Sequence, residues 1–166
     1  QLGGVNAPTV YNAVYNFVQF WDGRAATLAD QAAGPPLNPV EMASKSFDEI
    51  IAKLEADKQF KAAFEQAYPD GLTQANITDA IEQFERTLIT PNSRFDKYLR
   101  GDKSAITAEE LEGYELFKKY NCATCYVCKN LGGESYELLG LRKHYFADRG
   151  LELTEDISNA ATISSS

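Results

Sequence analysis

The sequence predicts an all-α, loop-rich fold, and three observations carry that expectation. Apolar residues recur at helical spacing between residues 46 and 88, Gly and Pro interrupt the first 45 residues, and no alternating Val/Ile-rich run supports a sheet. Leu151 to Leu153 is a short strand at most.

Taken in order, the first 45 residues are broken by Gly3-Gly4, Asn6-Ala7-Pro8 and Gly34-Pro35-Pro36-Leu37-Asn38-Pro39. Tyr11, Tyr15, Phe17, Phe20 and Trp21 fall in the same stretch and make it too apolar for disorder, so an ordered loop segment packed around something is expected. Ser46 and Glu49 then stand at capping-box spacing ahead of an apolar face of Phe47, Ile50, Ile51 and Leu54. A second helix is expected from about Lys58 to Tyr68, stopped by Pro69-Asp70-Gly71. Ile77, Ile81, Phe84 and Leu88 mark a third, ended by Pro91. Ser93 to Leu99 adds one or two turns. Gly101-Asp102-Lys103-Ser104 reads as a hinge between two lobes. Thr107 and Glu110 form another capping-box pair, opening a helix with Leu111, Tyr114 and Phe117 inward, which delivers the chain to Cys122.

The 166 residues suffice for one domain or two small lobes. The net charge of −8, spread along the chain, argues against nucleic acid as a partner and fits a soluble protein or a basic protein partner. No apolar run approaches the ~20 residues of a membrane helix. The start at Gln1 and the end at Ser164-Ser165-Ser166 read as a processed or partial polypeptide.

All three cysteines lie in Cys122-Ala123-Thr124-Cys125-Tyr126-Val127-Cys128. A C-x-x-C pair followed by His is the attachment motif of c-type haem, with the imidazole as iron ligand; here Tyr126 takes the place of His. The three thiols also match the start of an iron–sulfur or zinc site, which would need a fourth ligand from outside the cysteines. Two other segments hold candidate chemistry. Trp21, the single tryptophan, precedes Asp22-Gly23, where a packed Trp beside a turn Asp is the plain reading. Glu41 follows a proline-stiffened loop, as a carboxylate held for proton transfer would, although surface loop glutamates are far commoner.

Asn6-Ala7-Pro8-Thr9, Phe20-Trp21-Asp22-Gly23-Arg24, the loop from Gln31 to Met42, Phe84-Glu85-Arg86-Thr87-Leu88, Thr90-Pro91-Asn92-Ser93-Arg94-Phe95-Asp96 and the cysteine motif together resemble the bacterial di-haem cytochrome c peroxidases. The similarity runs in order from about Asn6 to Glu155. It implies cytochrome c-like lobes, with residues 1–100 part of the peroxidatic-haem lobe and 101–166 part of the electron-transfer lobe. It also implies a periplasmic enzyme that reduces hydrogen peroxide to water with electrons from a small cytochrome or copper protein, and it admits a homodimer. By the same resemblance Trp21 is an electron bridge and Glu41 the acid–base residue, with Gln31 beside it. Asn6 is a side-chain ligand of calcium, and Cys122 and Cys125 hold haem c.

The sequence departs from that family at Tyr126, where the motif has His, and at Cys128, where a small residue is common. The peroxidatic haem's attachment motif is absent, as is a segment beyond Ser158 that would supply a distal ligand and the rest of the calcium site. The single histidine, His144, reads as a surface or capping residue rather than a ligand. Three explanations follow: an imperfect or partial reading of a normal peroxidase; genuine tyrosinate ligation, lowering the reduction potential; or a haem-free module holding zinc or an iron–sulfur cluster on Cys122, Cys125 and Cys128, transferring electrons or binding metal without catalysis. The flanking Lys129-Asn130-Leu131-Gly132-Gly133 favours the first.

Overall fold

The computed structural model describes residues 6–127 and 129–132. Among them the regular structure is helical, with one isolated antiparallel bridge between Gln19 and Ala25. The helices are α1 (Leu28–Ala32), α2 (Phe47–Ala56), α3 (Lys58–Ala67), α4 (Gln74–Glu85), α5 (Arg94–Leu99) and α6 (Ala108–Lys119), with 3-10 turns at Ala13–Tyr15 and Cys122–Thr124.

Capping chemistry sets most of the helix starts. Thr27, Ser46, Asp57, Thr73, Ser93 and Thr107 each accept a hydrogen bond from an N–H of the first turn, satisfying donors that the helix leaves without partners. The Thr107–Glu110 capping box forms in full. At Ser46 only half of the expected box forms: its hydroxyl accepts from the Glu49 N–H, while the Glu49 carboxylate accepts from the Lys45 N–H and pairs with Lys53 at 2.7 Å. Those partners hold the Glu49 carboxyl below its ordinary range, with the Lys53 hydrogen bond as the largest cause.

Helix α4 starts three residues earlier than the apolar spacing suggests, because Thr73 caps it. It also ends earlier, and the expected tail tightens into three-residue turns in which the Thr87 N–H donates to Phe84 and the Leu88 N–H to Glu85. Helix α3 ends at Ala67, one residue short of the expected end, and α5 fills the predicted turns.

The most buried apolar residues are Ala13, Ala25, Leu28, Phe47 and Ile77. Helix α1 packs against α4 and α2 against α3. Leu28 and Ile77 are the buried apolar residues of α1 and α4, and Glu82 adds a polar lock: one carboxylate oxygen accepts the Ala29 N–H at 2.9 Å and the other accepts from Arg86. In the middle of α4, Asp79 accepts the Tyr68 hydroxyl at 2.6 Å, which raises the Tyr68 pKa and lowers that of Asp79.

At the predicted hinge, Gly101 has φ +112, a conformation that favours glycine. Arg94 crosses this turn, donating to the Ala105 carbonyl and pairing with Glu110. Phe95 meets Tyr114 edge-on at 5.0 Å, so α5 and α6 share an aromatic contact, with Leu111, Tyr114 and Phe117 half-buried as the inward face requires. Leu151 to Leu153, Cys128 and His144 lie outside the described residues.

Candidate functional site

Helix α6 ends at Tyr120, and Asn121 turns the chain through a left-handed conformation, φ 58, that Asn tolerates better than most residues. A 3-10 turn at Cys122–Thr124 follows. The Cys122 carbonyl accepts both the Cys125 and Tyr126 N–H groups, at 3.2 and 3.0 Å, so the motif is one tight loop. Cys122 is half-buried and Cys125 exposed, and both are free thiols. Tyr126 packs edge-on against Phe117, with centroids 6.2 Å apart. Tyr120, Tyr126, Val127 and Leu131 are exposed at 69, 44, 38 and 49%, giving the loop an apolar rim. Two thiols beside such a rim fit the thioether attachment of a haem. The iron-ligand half of the motif does not fit imidazole ligation, because Tyr126 offers a phenol oxygen.

The second candidate region lies between the N-terminal loop and α1. Phe20, Arg24, Asp30, Pro35, Asn38 and Glu41 line an open cleft of about 450 Å³. Arg24 stacks over the Phe20 ring at 3.6 Å, and its guanidinium donates to both Asp22 oxygens at 2.9 Å. Glu41 is exposed at the cleft edge. Its backbone is fixed by Asn38, whose carbonyl accepts the Glu41 and Ala43 N–H groups, both at 3.0 Å, and whose side chain accepts the Val40 N–H. Asn38 is therefore a residue the sequence reading missed. Its signal was present as an Asn inside a proline-rich turn, where the side chain bonds its own backbone. Gln31 is half-buried near the end of α1, and the described residues lining the cleft include Glu41 without it.

Trp21 is half-buried, and its indole N–H donates to the Asn6 carbonyl at 2.7 Å. The bridge residue and the calcium-ligand residue named from the sequence are thus in direct contact. Asn6 is exposed and supplies one oxygen-bearing side chain, whereas calcium takes six to eight oxygen ligands. Among the described residues no group of three or more His, Cys, Asp or Glu could hold a metal.

On α4 stands a half-buried acid, Glu85. One carboxylate oxygen of Glu85 is buried without a hydrogen-bond partner, and burial first, then the neighbouring Glu82 charge, raises its pKa.

The sequence profile of the di-haem cytochrome c peroxidases matches residues 1–104. The chain belongs to the di-haem cytochrome c peroxidase family. Among its relatives, the cytochrome c peroxidase Ccp of Escherichia coli is 63% identical over 144 residues, covering 87% of this chain and 31% of that protein. The cytochrome c551 peroxidase of Nitrosomonas europaea is 50% identical, covering 87% of this chain and 43% of the relative. The chain therefore spans between about a third and two fifths of the length of these peroxidases. A crystal structure of a MauG-like protein associated with microbial copper homeostasis aligns with TM-score 0.65 at 28% identity, over 73% of this chain and 37% of that one. The di-haem peroxidase of Burkholderia thailandensis aligns with TM-score 0.64 at 20% identity, over 89% and 44%, which bears on fold alone. The all-α, loop-rich expectation and the resemblance to this peroxidase family are both borne out. No helix among the described residues is long and apolar enough to cross a membrane.

Proposed function

We propose that this chain is the part of a periplasmic di-haem cytochrome c peroxidase that carries the electron bridge, the peroxide-handling loop and one haem attachment pair. The reaction is H2O2 + 2 e⁻ + 2 H⁺ → 2 H2O, with the electrons drawn from a small cytochrome or copper protein. The observation that carries the reading is the Cys122–Cys125 loop, two free thiols on one tight turn with an apolar rim, in a chain that belongs to this peroxidase family. Bound haem c would supply the iron redox chemistry.

The chain's own residues have the following parts. Cys122 and Cys125 hold the macrocycle, and Tyr126 stands where the iron-ligand residue falls in the attachment motif. Trp21, fixed by Asn6, bridges residues 1–100, assigned to the peroxidatic lobe, and residues 101–166, assigned to the electron-transfer lobe. Glu41, held by the Asn38 turn at the edge of an open cleft, takes and returns a proton as the O–O bond breaks, with Gln31 as a polar neighbour in the same segment. Asn6 offers an amide oxygen to calcium, a donor of the type this hard cation prefers.

The test is the intact mass of the denatured, full-length protein together with its visible spectrum and its peroxide-dependent oxidation of a reduced donor. Covalent haem mass on the peptide containing Cys122 and Cys125, with peroxide-dependent donor oxidation, is expected. A peptide mass without haem would move the assignment to a zinc or iron–sulfur module on Cys122, Cys125 and Cys128.

A further inference from the structure

The loop after the cysteines is seated on the N-terminal segment by one side chain. Asn130 Nδ2 donates to the Asn12 carbonyl at 3.1 Å and to the Asn16 side-chain oxygen at 2.8 Å, across more than a hundred residues of sequence. A backbone carbonyl can only accept, so the Asn130 amide must present its nitrogen to this site, and Asn16 must present its oxygen. Lys129 adds a cation–π contact over Tyr15, 4.5 Å from the ring centroid. The Gly132 N–H closes the loop on Val127 at 2.9 Å, and Gly132 is buried.

The receiving residue is itself anchored. Asn12 sits at φ 61, its N–H donates to the Leu88 carbonyl at 2.8 Å, and its side-chain amide donates to the Thr90 hydroxyl at 2.8 Å and accepts the Thr90 N–H at 2.9 Å. The seat therefore joins three pieces of chain: the segment carrying Asn6 and Trp21, the connector after α4, and the loop carrying Cys122 and Cys125.

We infer that Asn130 is a positioning residue that locks the cysteine loop onto residues 12–16 and so fixes the relation between the cysteine pair and Trp21. The inference rests on the haem reading of Cys122 and Cys125. Electron passage falls steeply when its endpoints are free to move apart, so a loosened seat slows passage between lobes without changing what either lobe binds.

The polarity of the seat gives a charge-balanced test in the full-length, haem-loaded protein. Asn130→Asp removes both donated bonds and sets a carboxylate against two acceptors. Asn16→Asp adds the same charge at the same place but keeps the acceptor. Two measurements are made on each variant: hydrogen exchange at the Gly132 and Asn16 amides, and the rate of electron passage between lobes after rapid reduction. Asn130→Asp should speed exchange at both amides by roughly tenfold or more, as the loss of two hydrogen bonds implies, and slow electron passage, while Asn16→Asp matches the parent in both. Asn16→Ala, which removes one acceptor, should give intermediate exchange and keeps the test decisive if Asn130→Asp does not fold. Equal behaviour of the two Asp variants, or faster exchange with unchanged electron passage, would overturn the positioning role. A parent protein with no haem on Cys122 and Cys125 would instead overturn the peroxidase reading, and the exchange contrast would still decide whether the seat exists.

Discussion

Trp21 and Asn6 are joined by a 2.7 Å hydrogen bond in which the indole N–H donates to the backbone carbonyl. The indole thereby holds the backbone of Asn6, whose side-chain amide is the proposed calcium ligand. Trp21→Phe keeps the aromatic packing and deletes the donor. The expected cost is about 1 kcal/mol of local order, read as an approximately fivefold weaker calcium affinity in a calorimetric titration. Unchanged affinity would separate the tryptophan from the cation.

Glu82 is the link between α1 and α4, accepting from the Ala29 N–H and from Arg86. A five-residue helix such as α1 does not persist without tertiary support. Glu82→Ala should lower unfolding stability by about 2 kcal/mol, the range for hydrogen bonds to a charged group. Chemical denaturation checks it, and a loss near zero would show that Leu28 and its apolar neighbours hold α1 alone.

The pH dependence follows from Glu85. Its folded-state pKa is raised by burial and by Glu82, so the wild-type protein is most stable when this carboxyl is protonated and loses stability as pH rises through the folded value. Glu85→Gln should therefore raise the melting temperature at neutral pH. The gain should fall away as pH drops below the ordinary carboxyl value of 4.5. Melting curves across that range test the sign; a variant less stable than wild type at neutral pH would refute it.

Tyr126→His restores an imidazole at the position that follows the thioether pair. Imidazole is a neutral ligand and a phenolate an anionic one, so the variant should raise the reduction potential of haem held on Cys122 and Cys125. A spectroelectrochemical titration measures this, and an unmoved potential would place the iron ligand elsewhere in the protein.

The helical part of the chain was legible where apolar residues recurred at helical spacing over about two turns, as at Ile77, Ile81 and Phe84. Helix α1 was not, because it has only five residues and its capping box closes with Asp30 in place of the usual Glu or Gln. Glu49 was expected to close the Ser46 box, but Lys53 one turn on competes for its carboxylate. At the site, residue types were readable from motifs, whereas the Trp21–Asn6 bond and the Asn130 seat were not. Both depend on backbone carbonyls brought together by loops, and no side-chain pattern encodes a carbonyl's position. The Asn38 turn falls between these cases, since its proline-rich setting was visible and its hold on Glu41 was not.

The most direct test of the account is the rate of peroxide-dependent donor oxidation by the full-length, haem-loaded protein with Glu41→Gln, beside its visible spectrum. Gln keeps the size and the turn made by Asn38 but cannot take a proton. The account predicts loss of turnover by two to four orders of magnitude, roughly the share of general acid–base catalysis, with the haem spectrum nearly unchanged. Turnover equal to wild type with an intact spectrum would contradict it.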